Sequence, residues 1–150
     1  MNFRFAIVWA CLIACCGCFP QSRNPTLVSN VSSFYLDDTG SQAKAVGVDY
    51  RPALDKALNR DTQAIHTLFT LTSSGALKGQ GADSHAAMLW TLMNQWGDKR
   101  FSDALRQETA DTRKQVILFL DYAAASDYSR DFPLTHGLGP HEVRFGGRSS

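Results

Sequence analysis

No cysteine occurs after residue 18: Cys11, Cys15, Cys16 and Cys18 are the four in the chain. The rest of the chain therefore has no internal disulfide, no thiolate metal site and no Cys–His catalytic pair. A surplus of one charge is also missing. Fifteen Lys and Arg stand against fourteen Asp and Glu, a net charge of +1, and the two signs are interspersed. That balance builds no basic field for nucleic acid. The longest apolar run, residues 5–14 (FAIVWACLIA), has ten residues, and a membrane-crossing helix needs about 20. Several catalytic signatures are absent too. There is no Gly-x-Ser-x-Gly elbow. His141-Glu142 is followed by Phe145 where a zincin would place its second histidine. The glycines at 75, 79 and 81 lack the Gly-Lys-Ser/Thr ending of a phosphate loop. No catalytic residue, metal or cofactor is predicted.

What the chain has is a strongly apolar stretch at residues 83–97, DSHAAMLWTLMNQWG. Asp83 or Ser84 can cap its start, and Gly97 suits a left-handed C-cap. Leu89, Leu92, Met93 and Trp96 recur at helical spacing, and Trp90 widens the stripe. Such a helix must be covered on more than one side. It is the predicted central helix of an all-α domain spanning residues 49–126.

Helical signals flank it. Residues 49–58 carry Pro52 in a first turn, with Leu54, Ala57 and Leu58 on one side. Asp61 or Thr62 caps a helix to about residue 72, with Ala64, Ile65, Leu68, Phe69 and Leu71 as its apolar face. Residues 75–82 read as a glycine-rich loop. Asp98 caps a helix bearing Phe101, Ala104 and Leu105, and Thr109 or Asp111 starts another to about residue 124, with Val116, Ile117 and Leu120. The fold expected is a small array or bundle of about five helices, two antiparallel hairpins around a central helix. Asp61-Thr62 followed by Leu68-Phe69 is echoed by Asp111-Thr112 and Leu118-Phe119, a step of 50 residues. Over residues 49–124 this is similar to stacked hairpins of the HEAT or TPR type, without the consensus of either.

The leader, residues 1–14, has one positive charge at Arg4 ahead of its apolar run, the order of a secretory signal peptide. Its removal leaves fourteen charges of each sign. Leu12-Ile13-Ala14-Cys15 resembles the lipobox of bacterial lipoproteins. The resemblance implies cleavage before Cys15 and acylation of its thiol, and two or more acyl chains anchor stably. Cys16 and Cys18 are the neighbouring alternatives. Cys16 stands where the family uses Asp for inner-membrane retention, which points to the outer membrane where one exists; secretion without lipid is the other outcome.

Residues 15–48 read as the lipidated Cys and a polar linker, with residues 33–36 (SFYL) as a short extended piece. Asp38-Thr39-Gly40-Ser41 resembles an aspartic-protease active-site loop, but that chemistry needs two copies and the chain has one, so an Asp- and Gly-rich turn is expected. Residues 127–150 form an irregular tail, in which Phe132, Leu134 and Leu138 are docking candidates and the last eight residues are loose.

Candidate site residues are few. His66 is expected beside an apolar face, partly buried and bonded to a backbone carbonyl. His85 is expected at the surface or in a cap. Asp121, Asp127 and Asp131 gather near a helix end and could hold Ca²⁺, with a solvated helix terminus as the plainer reading. Trp90, Trp96, Phe101, Phe119 and Tyr122 could line a groove, but their spacing fits a core. The function expected is an exported, lipid-anchored helical interaction module without catalytic activity, with membrane and protein as partners. The alternative is a small envelope enzyme or a ligand- or metal-binding domain using His66, His85 or the three aspartates.

Overall fold

Helix breaks in the computed structural model fall where the local signals are strongest. The structure describes residues 33–140, with side chains from Asp37 onward. The leader, Cys15, the first part of the linker and residues 141–150 with His141 lie outside the described residues. Seven helices follow in order: α1 (Ser33–Ala45), α2 (Tyr50–Leu58), α3 (Thr62–Ser73), α4 (Gly79–Trp96), α5 (Asp98–Arg106), α6 (Ala110–Ala123) and the single turn α7 (Pro133–His136). No strand occurs among the described residues, so the domain is all-α as expected; residues 49–126 hold five helices, α2 to α6, the number expected, and α1 and α7 lie outside that span.

α4 is the hub. Gly81, Ser84, His85, Met88, Leu89, Leu92, Met93 and Trp96 are buried along it, while Asp83, Ala87, Thr91, Asn94 and Gln95 face solvent. α1, α2, α5 and α6 all pack on it. α2 pairs with α3, and α6 lies mainly on α3 and α4. Leu68, Phe69, Leu105, Val116 and Leu120 complete the core between them, and the Phe69 and Phe101 rings meet edge to face at 5.2 Å.

Two caps read from the sequence are present. Asp61 accepts the Ala64 N–H at 2.9 Å and starts α3. Thr109 accepts the Thr112 N–H at 3.1 Å and starts α6. Gly97 closes α4 with a positive φ of 77°, but its ψ of 155° is extended rather than the left-handed cap expected. Asp111 thus lies inside α6, whereas Asp61 precedes α3. The two copies of the echo are offset: Leu68 and Phe69 are in the core, but Leu118 is 39% exposed.

Elsewhere the structure differs from the sequence reading. Residues 33–45, expected as linker, are helical, and so are residues 33–36 and the Asp37–Ser41 run expected as a turn. α1 is fastened by polar groups. Thr39 Oγ1 donates to the Gly81 carbonyl at 3.0 Å. The Gln42 amide donates to the Lys78 carbonyl at 3.2 Å and accepts the Lys78 N–H at 2.8 Å. α4 consequently begins at Gly79, inside the expected loop, without a side-chain cap of its own, and Asp83 and Ser84 are helical. Asp98 opens α5 but spends its carboxylate on the tail, accepting the Leu134 and Thr135 N–H groups, both at 2.8 Å. That satisfies two of the donors left open at the start of α7. Phe132 and Leu138 pack on the core, whereas Leu134 is 42% exposed.

Gly81 sits where α1 crosses α4. A Cβ there would stand 2.7–2.9 Å from the Gln42 amide atoms. Gly81→Ala gains helix propensity of up to about 0.5–1 kcal/mol but displaces Gln42 from Lys78, where each hydrogen bond contributes about 0.5–1.5 kcal/mol. In urea unfolding, Gly81→Ala is expected to destabilise the wild-type chain by about 1 kcal/mol and to be neutral or stabilising in a Gln42→Ala background. Equal effects in both backgrounds would contradict the contact.

Candidate functional site

Three places bring chemistry-bearing side chains together, and the most enclosed surrounds His85. Its position on α4 turns it between α2, α3 and α6, and the side chain is fully buried. This corrects the expectation of a surface or capping histidine. Polar Asp83 and Ser84 precede it and the apolar run only follows, so a lone histidine near the expected helix start reads as a cap.

Both ring nitrogens are used. Nδ1 lies 3.0 Å from the Tyr50 hydroxyl and Nε2 2.9 Å from Thr72 Oγ1. The Thr72 hydroxyl donates to the Leu68 carbonyl at 2.9 Å. A hydroxyl has one hydrogen, so Oγ1 must accept from Nε2–H, and Nδ1 must accept from Tyr50 O–H. One sequence of donors runs from α2 through α4 to α3 and ends on a backbone carbonyl. The Tyr50 and Phe119 rings flank the imidazole edge to face at 5.5 and 5.9 Å. Burial lowers the His85 pKa from 6.5 to about 3, against a smaller upward pull from the Leu68 carbonyl. Burial also raises the Tyr50 phenol above its usual value. The imidazole is therefore neutral, held as one tautomer and closed to solvent.

His66, by contrast, is partly open, its side chain 20% exposed. Its Nδ1 meets Glu108 Oε1 at 2.5 Å, so its partner is a carboxylate on the α5–α6 connection rather than the backbone carbonyl expected. Arg113 Nη1 holds that connection by donating to the Glu108 carbonyl at 2.6 Å, and the Phe69 ring lies edge-on to His66 at 6.3 Å. The pairing joins residues 42 apart in sequence, which no local pattern announces. A carboxylate that orients an imidazole can tune a base or a ligand.

The three aspartates have separate tasks. Asp121 accepts the Tyr128 hydroxyl at 2.9 Å. Asp127 accepts the Ser129 N–H at 2.8 Å, which holds its carboxyl below the usual range. Asp131 is exposed. Among the described residues no three His, Cys, Asp or Glu side chains are grouped to hold a metal. The aromatics divide likewise. Trp96, Phe101 and part of Phe119 serve the core, and Trp96 Nε1 donates to the Ala57 carbonyl at 2.8 Å. Trp90 stacks edge-on with Tyr128 and Phe132 under the tail. Tyr122 is 69% exposed.

A cleft of about 590 Å³, which the sequence did not announce, opens between α1 and the start of α2. Asp37, Ser41 and Lys44 line one side, Asp49 and Arg51 the other, with Tyr50 among its walls. Two carboxylates and two cations leave it without net charge.

The buried node makes two predictions. Tyr50→Phe removes only a hydroxyl and leaves Nδ1 a buried acceptor without a donor, at a cost of about 1–3 kcal/mol in urea unfolding; an unchanged midpoint would contradict the network. The pH dependence follows from the lowered His85 value. Below pH 6.5 the unfolded chain binds a proton that the folded chain refuses until about pH 3. Stability therefore rises with pH across that window and falls on acidification. Between pH 7 and pH 5 His85 alone removes about 2 kcal/mol, at 1.36 kcal/mol per pKa unit. Denaturant titrations at the two pH values check it, and equal stabilities would refute it. No family model, no curated protein and no solved structure matches the chain.

Proposed function

We propose that the chain is an exported helical interaction module, held at a membrane by a lipid on Cys15 and acting by binding rather than by catalysis. The observation that carries this reading is Leu12-Ile13-Ala14-Cys15 at the end of a charged and then apolar leader, with every cysteine of the chain confined there. α1 starts 18 positions after Cys15. That length of chain spans at most about 60 Å, enough to let a domain work close to a bilayer surface. No helix among the described residues is long and apolar enough to cross a membrane. Leu118 and Tyr122, one turn apart on α6 and 39% and 69% exposed, are side chains suited to a protein contact. The outer membrane is the proposed location where the cell has one, and the partner is a protein.

A second reading, an envelope enzyme or a ligand-binding domain, draws on His66 and Glu108, since that imidazole is both oriented and partly open. His85 supports it less, because neither ring nitrogen is free. A bound small molecule or metal ion retained by the purified full-length chain, and lost in His66→Ala at unchanged stability, would favour this second reading.

The first test of the anchored module is metabolic labelling with a radioactive or clickable fatty acid. Wild-type chain is expected to take up label and to fractionate with membranes, and Cys15→Ala is expected to lose both. Labelling that survives in Cys15→Ala would overturn the assignment to that residue. An unlabelled wild-type chain would overturn the anchor.

A further inference from the structure

We propose that protonation of His85 releases Tyr50 and the start of α2 from α4, so that the domain opens locally in mild acid, at the wall of its own cleft. Tyr50 lines the cleft and bonds the imidazole, while the partly exposed Phe119 ring covers another side of it. Tyr50 is 2% exposed, borders the cleft between α1 and α2, and holds His85 Nδ1 through its hydroxyl. A proton reaching Nδ1 turns that acceptor into a donor. The Tyr50 oxygen must then accept, and its own hydrogen has to turn away from the ring and lose the acceptor it had. A buried donor without an acceptor is expensive, and an imidazolium inside the core has no compensating charge.

The groups facing the ring are few. Among the described residues, Tyr50 on α2 is the titratable group bonded to it; α3 presents the Thr72 hydroxyl and the Leu68 carbonyl, and α6 presents the Phe119 ring. Asp83, two positions earlier on α4, is exposed and engages Tyr122 instead. Moving Tyr50 outward is the small motion that lets water reach the charged ring. α2 is suited to it, since it packs chiefly on α3 and touches α4 at its two ends, through Tyr50 at one and through Ala57 and Leu58 at the other. The device would make the cleft and the α1–α2 corner responsive to the acidity outside a cell, and it does not depend on how the chain is anchored.

Hydrogen exchange of the full-length chain, resolved by peptide at pH 7 and pH 5 and corrected for intrinsic rates, tests this. Residues 53–58 are expected to be less protected than α3 and α4 at both pH values. Their protection is expected to fall roughly 25-fold on going to pH 5, the factor by which a histidine of ordinary pKa in the open form shifts the opening equilibrium. The drop must persist in the triple variant His66→Gln, His136→Gln, His141→Gln, where His85 is the only histidine left, and this variant leaves the node untouched. Protection of residues 53–58 that is insensitive to pH, or equal to that of α3 and α4 throughout, overturns the proposal. So does a drop that vanishes in the triple variant.

Discussion

A neutral imidazole that must keep both of its nitrogens occupied constrains the whole bundle. His85 ties three helices with one directed sequence of hydrogen bonds, Tyr50 to His85 to Thr72 to the Leu68 carbonyl. Each link fixes the next, because a hydroxyl donates once and a neutral imidazole donates from one nitrogen only. In a low-dielectric core such a network is favourable when complete and costly when a single member is lost. The apolar core sets how much the domain is stabilised. The imidazole sets which faces of α2, α3 and α4 meet, since sliding any of the three by one residue would orphan a polar atom.

The same logic recurs around the rest of the fold. No buried side-chain nitrogen or oxygen among the described residues lacks a partner. Thr109, Thr112 and Ser73 pass hydroxyl hydrogens from α6 to α3, at 3.0 and 3.1 Å. Gln42 and Thr39 bind α1 to backbone groups at the start of α4, and one carboxylate, Asp98, secures the tail. The periphery is thus attached through directed bonds to backbone groups, and the centre through close packing of Leu, Met and Phe.

This division explains what could be read in the sequence. α3, α4, α5 and α6 announce themselves through apolar periodicity, and Asp61, Thr109 and Gly97 through their capping chemistry. α1 does not. Of its described side chains only Ala43 is a buried apolar one, and Gly40, Ser41 and two aspartates argue locally for a turn. Its helix is specified by contacts to Lys78 and Gly81, some 36 to 42 residues away, which no window of sequence contains. Asp98 has the local signal of a cap, yet it is the first residue of α5 and caps a turn 36 residues later instead. His66 and Glu108 illustrate the same limit at 42 residues. The candidate sites were legible as residue types but not as arrangements. The proposed leader and the proposed lipidation of Cys15 rest on the sequence alone.

The central claim, that His85 is a neutral, single-tautomer hub of the folded domain, is open to direct observation by nitrogen NMR of the imidazole in uniformly labelled protein. Folded chain at pH 5 is expected to show a His85 ring protonated at Nε2 and bare at Nδ1, unchanged from pH 7, while the Tyr50 hydroxyl proton is protected and couples to Nδ1. A His85 ring that becomes imidazolium with a midpoint near 6.5 while the chain remains folded would contradict the account.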